Sequence, residues 1–339
     1  MPRERTFWMV LASLVVAGLA AGFFGQRAGT HPLVLNPEAP APRPQTVRER
    51  VWRAARFELI KELTAWQAGF LRLPTVLRVD DRGNLYILDS GQSAVIKLSP
   101  EFRMLARYED SSVVNPTDVA VSNRGNGGEV WMCDTDSGGV AVFSSGGQIE
   151  RRIRLDPAAA RLTPDPGGGF VATSVAGGEG LFRRYSDKGD PEGSFGALFQ
   201  KDLQTWVAAD GWFVPGTSGA FTYPFRNAGL LVSYSMAGRL RFFRQTIDPV
   251  PLPRVKVDAA GRQSLPAETP VSTVSGSVVG DSLYLLAATG AGKVLDVYGT
   301  VDGGYRYSME PPEKDARYVV LTEDRLYSAS RRGVTIWKR

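Results

Sequence analysis

Asn115, Asp118 and Asp134 are the side chains whose types and spacing come nearest to metal chemistry. The stretch "DTDSGG", Asp134 to Gly139, opens like a calcium loop, with two carboxylates and a glycine. No Glu stands at the twelfth position, where such a loop places its bidentate ligand. Asp134 and its counterpart Asp89 also suit a plainer role, because an Asp beside a tight turn accepts backbone N–H groups of that turn. Other chemistry is scarce. His31 is the single histidine and precedes the repetitive part of the chain, so that part holds neither a Ser-His-Asp triad nor a histidine base. Cys133 is the single cysteine, set in an apolar run; it reads as a small buried hydrophobe, and no intrachain disulfide is available. "ATGAGKV", Ala288 to Val294, imitates the end of a phosphate loop, but Ala287 replaces the leading glycine and Val294 the hydroxyl residue after Lys293.

The elements that carry these residues are short and repeated. "NLYILDSGQSAVIKLSP", Asn84 to Pro100, reads as strand, Asp-containing turn, strand; "EVWMCDTDSGGVAVFSSGGQ", Glu129 to Gln148, repeats it. Each follows a Pro-led strand ending in a polar turn, "LPTVLRVDDRGN" and "NPTDVAVSNRGN", and each precedes a fourth strand, "RMLARYED" and "QIERRIRLDP". Four short strands in roughly 40 residues mark a β-propeller blade. The 37 glycines and 22 prolines supply the many turns such a ring needs.

"LPTVLRVDDRGNLYILDSGQSAVIKLSPEF" resembles an NHL-type repeat, and the 115–157 unit does so less closely. Strand rhythm alone marks the later units. The expected architecture is all-β: a six-bladed β-propeller of four-stranded antiparallel blades at 74–110, 115–157, 160–198, 203–249, 271–312 and 316–339. The last unit offers only three strands, "RYVVLT", "RLYSAS" and "GVTIWKR". An open ring would leave two unpaired edges. "RFELIKELTAW", Arg56 to Trp66, is therefore expected to close the ring as the fourth strand, after a short helix at 47–55. The Pro-rich insert at 249–269 reads as a long loop.

The chain ahead of the ring differs in character. No charge falls between Arg5 and Arg27, and 7–24 is almost wholly apolar or small, which reads as one transmembrane signal anchor within 1–29, the alternative being a signal peptide cleaved near the small residues "GLAAG" around Ala20. Arg3 and Arg5 before it predict a cytoplasmic N-terminus and an exported ring, periplasmic or extracellular. The Pro-rich segment 30–46 is expected to be a semi-extended tether, leaving 47–339 as the propeller domain. The net charge of +5 arises in residues 1–72, which hold ten Lys/Arg against five Asp/Glu, while the ring is balanced. A nucleic-acid partner is therefore not expected.

Two function classes follow. The first is a membrane-tethered ring that binds or scaffolds a protein or glycan partner, without a cofactor. Its contacts are expected at Asn115, Asp136, Glu179, Phe225, Arg226 and Arg331, on the loops joining the second and third strands of each blade and on the inter-blade connections. The second is a channel-centred enzyme, lactonase- or lyase-like, with calcium held by Asn115, Asp118 and Asp134, as a resemblance to six-bladed calcium-dependent lactonases would imply.

Overall fold

The structure, a computed structural model, describes residues 29–64, 71–122, 128–174, 179–200, 206–216 and 219–339. The apolar stretch 7–24 lies outside them. Among the described residues, no helix is long and apolar enough to cross a membrane.

Alternating strands and Asp-Gly turns build a ring of antiparallel sheets. Blade one comprises Pro74–Val79, Leu85–Asp89, Ala94–Leu98 and Met104–Tyr108, in that order from the axis outward. Its first turn shows why "DDRGN" turns there. Asp80 accepts the backbone N–H groups of Arg82 and Asn84 at 3.0 and 2.8 Å, and Gly83 takes the positive φ of 77° that the bend requires. Blade two runs Pro116–Ser122, Glu129–Asp134, Gly139–Phe143 and Ile149–Arg154; blade three runs Ala159–Pro164, Phe170–Ser174, Phe182–Tyr185 and Pro191–Phe195. Blade four begins with a strand of only two residues, Val214–Pro215, before Ala220–Pro224, Leu230–Ser235 and Leu240–Gln245. Blade five is Thr273–Val279, Ser282–Thr289, Gly292–Gly299 and Tyr305–Met309. The first strands of neighbouring sheets adjoin around a central axis.

Blade six takes Tyr318–Leu321, Arg325–Ser330 and Gly333–Lys338 from the C-terminus and Glu58–Thr64 from the N-terminal side. Glu58 pairs with Lys338 and Thr64 with Gly333, and the register shifts between Leu59 and Lys61. That bulge accounts for the imperfect alternation of the segment. The expected helix at 47–55 does not form; this stretch is extended, with Trp52 bridged to Ser308.

Among the described residues the sheets number seven, not the six expected, because the spacer and the insert form one together. Gly29–Pro32 pairs with Arg254–Val257, which pairs with Gln263–Ser264. The insert strand alternates, with Val255 and Val257 turned inward against the aromatic core around Phe199 and Phe225, and Leu33 joins them. Burial of these three side chains, at about 1.5–3 kcal/mol each, is enough to order what composition alone marks as loop. The chain then crosses blade four, where Arg43 exchanges backbone bonds with Phe243 and Gln245, and reaches blade five. There Arg50 forks onto Asp248 at 2.7 Å and onto Asp296 at 3.0 Å. Residues 29–57 form a strap along the ring rather than a free tether.

Candidate functional site

Strand order gives the ring two unlike faces. One collects the turns between second and third strands together with the inter-blade connections. There the Asp residues after the second strands of blades one and two work as clasps. Asp89 accepts the backbone N–H of Leu73 at 2.9 Å and of Gly91 at 3.0 Å. Asp134 accepts those of Val114, Asn115 and Asp136 at 2.7, 3.1 and 3.0 Å. Each carboxylate orients its own turn, as expected, and also sews the incoming connection to it. Burial pushes Asp134 up, but the donors outweigh it and the carboxyl lies below its ordinary value. Asp134→Ala is therefore expected to cost about 2–3 kcal/mol through stranded donors. Because the folded value is depressed, that contribution is present above the unfolded pKa of about 4 and lost as pH falls through the folded one. Urea midpoints of both proteins at pH 7 and pH 3 check this; an equal gap at the two pH values would refute it.

On this face Asn115, Asp136, Glu179, Arg226 and Arg331 are exposed, spread over blades two, three, four and six. Asn115 donates to Asp136 at 3.4 Å. Phe225 departs from expectation. It is only 1% exposed, packed edge-on against Phe199 and Tyr223 at 5.4 Å each, and belongs to the core.

The axis carries what the sequence reading missed. The first strands of blades one, two, three and five all shift register at their second residue, which turns the next side chain. The residues after these bulges are Val76, Asp118, Arg161 and Ser275. Asp118 accepts from Arg78 at 3.0 Å and from the backbone N–H of Val119 at 3.0 Å. The Arg78 guanidinium also donates to the Tyr318 hydroxyl and to the carbonyl of Leu77. Arg161 donates to the carbonyl of Thr117 and lies 3.4 Å from Asp210, with its guanidinium 4.1 Å from the centre of the Trp212 ring. Trp212 meets Tyr318 edge-on at 5.3 Å. These six side chains form a polar belt across the channel. Burial pushes Asp118 up from the usual carboxylate range, against the pull of Arg78 and Arg161.

Of the residues considered for calcium, Asn115, Asp118 and Asp134, both carboxylates have protein partners. Asp118 is spent on the belt and Asp134 on its turn. Among the described residues no group of three or more His, Cys, Asp or Glu side chains is arranged to hold a metal. Cys133 is fully buried, and desolvation pushes its thiol well above its ordinary value.

Beyond the belt, on the other face, a cavity of about 890 Å³ opens at the C-terminal ends of the first strands. Its walls are mostly apolar, including Ala120, Leu162, Val214, Val278 and Leu321, and Arg78 lies at its inner end.

This arrangement defines a β-propeller. No protein-family profile matches the chain, and neither does any curated protein. Among solved structures it is similar to a catalytically inactive variant of virginiamycin B lyase from Staphylococcus aureus with quinupristin, at 14% identity and TM-score 0.55, covering 84% of this chain and 100% of that one. It is also similar to the β-propeller domain of Cps50 (Swd1) from Myceliophteria thermophila, at 11% identity and TM-score 0.50, covering 84% and 100%. Hydrazine synthase from Kuenenia stuttgartiensis matches at 12% identity and TM-score 0.51, over 80% of this chain and 96% of that one. At such identities the likeness concerns the fold alone.

Proposed function

We propose that the protein is an exported, NHL-like six-bladed propeller, held to a membrane by its N-terminal helix, that binds a protein or glycan partner on its turn face without a cofactor. One observation carries the reading: the belt across the channel satisfies its own charges, while Asp136, Glu179, Arg226 and Arg331 are exposed on the turn face, Asp136 on the turn braced by Asp134. A rigid face of separate charged side chains around a closed centre suits a broad partner better than an enclosed substrate. The calcium-dependent enzyme is disfavoured, since both carboxylates it needs are engaged. A lyase of the virginiamycin type is disfavoured as well. The inactive variant of that enzyme is a histidine-to-alanine change. Here His31, the single histidine, lies in the strand Gly29–Pro32 on the seventh sheet.

Asp136→Lys and Arg331→Glu are expected to weaken cross-linked partner capture from solubilised membranes at least threefold, with melting temperature unchanged. The native protein is expected to stay in the membrane fraction through carbonate extraction, with its N-terminus uncleaved. Unchanged capture by both variants would overturn the binding face; a mature N-terminus near Ala21 or Gly29 would overturn the anchor.

A further inference from the structure

The cavity on the opposite face is independent of that reading. Its volume of about 890 Å³ falls in the range of small-molecule sites, about 300–1,000 Å³. It is blind, since the belt closes its inner end. The group at that end is a guanidinium with capacity to spare. Of five N–H donors, Arg78 gives two from Nη1, to Leu77 and Tyr318, and one from Nη2, to Asp118. Among the described residues nothing accepts from its Nε. Its side chain keeps 14% of its surface and lines the cavity.

In the belt two guanidiniums, Arg78 and Arg161, face two carboxylates, Asp118 and Asp210. Among the described residues lining the pit, Arg78 is the one basic residue and lies at its inner end, where the effective dielectric is low and a charge acts strongly. At the mouth, Asp81 and Glu323 are exposed to water, where screening over about 8–10 Å blunts their repulsion, and Asp80 is engaged by Asn84 and Tyr86.

We infer that this pit binds a monocarboxylate with an apolar body, an alkyl or aryl-alkyl acid, whose carboxylate lies against Arg78 and whose chain runs out along Leu162, Val214 and Val278. Arg78 supplies a forked pair of donors to one carboxylate, a geometry a point charge does not match. The walls contribute affinity in proportion to the apolar area covered, without choosing one chain over another.

The test is calorimetric titration of the full chain in lipid nanodiscs, with empty nanodiscs as blank, using decanoate, decanol and decyltrimethylammonium. Decanoate is expected to bind at least tenfold tighter than decanol, and the cation more weakly than either. Val278→Trp, which fills the pit without touching the belt, is expected to lower affinity for all three at least tenfold with melting temperature unchanged. The paired change Arg78→Met with Asp118→Leu, which leaves no lone buried charge, is expected to bring decanoate down to the affinity of decanol. Equal or tighter binding of the cation, unchanged binding by Val278→Trp, or no decanoate binding up to 1 mM would each overturn the inference. Should the paired variant fail to fold, the three ligands and Val278→Trp still decide it. Partner capture through Asp136 and Arg331 is unaffected by either result.

Discussion

Arg78→Met alone is expected to lower the stability of the ring by about 3–5 kcal/mol, and adding Asp118→Leu to restore most of the loss. Removing one partner of a buried pair leaves the other charge uncompensated, whereas replacing both by apolar side chains of similar volume is often neutral. Asp118 is fully buried; without Arg78 it keeps the backbone N–H groups of Val119 and Leu162 at 3.0 and 3.4 Å and the more distant attraction of Arg161, which is itself paired with Asp210. The sign with pH follows. Burial already pushes the Asp118 carboxyl up. Without the guanidinium it rises further, so the folded value lies well above the unfolded one of about 4. The deficit of the single variant should be full at pH values above the folded pKa and shrink as pH falls toward 4, while the double variant shows no such relief. Urea unfolding of the four proteins of the cycle at pH 7.5 and pH 4.5 measures both effects. A deficit below about 1 kcal/mol, or one of equal size at the two pH values, would show that Arg78 is not what holds Asp118 ionised.

The same belt marks where the sequence was legible and where it was not. Blades one and two were legible because their turns carry chemistry that spacing reveals: Asp80 and Gly83 in one turn, Asp89 and Asp134 as clasps in others. The closing strand was legible from a deficit, since three strands in the last unit demand a fourth. The strap was not. Proline content in 30–46 and 249–269 argues for mobile chain, but composition does not register that Leu33, Val255 and Val257 find a common apolar pocket. Phe225 misled for a related reason: its place in a turn suggested exposure, while Phe199 from the connection before blade four covers it. The belt residues gave one signal that went unused. Arg78 and Arg161 are cations in first strands, in the midst of apolar runs, and an unexplained charge there calls for a partner two or three strands away. Their joining to Asp118 depends on bulges that no local pattern announces.

Truncation should separate the strap from the closing strand. Removing residues 1–28 keeps every contact among the described residues, and the melting temperature of that product is the reference for the other two. Removing 1–45 deletes the Gly29–Pro32 pairing, the buried Leu33 and the Arg43 and Gln45 bonds to blades four and five, but keeps Arg50 and the closing strand. The loss of Leu33 burial alone is worth about 2 kcal/mol, enough to lower the melting temperature by a few degrees while the product stays monomeric. Removing 1–64 goes further. It frees the edge of Gly333–Lys338 along the whole register from Glu58 to Thr64 and takes Arg50 from Asp296, which is 1% exposed and left with Ser308 as its side-chain partner. An unpaired edge carrying Val334, Ile336 and Trp337 is a template for association between chains, and an uncompensated buried carboxylate weakens blade five at the same time. This product is expected to aggregate or elute as large assemblies, where the other two elute as single rings. Size-exclusion chromatography with thermal unfolding of the three proteins is the measurement. If the product lacking 1–64 were monodisperse and melted with the one lacking 1–45, the N-terminal strand would not be what closes the ring.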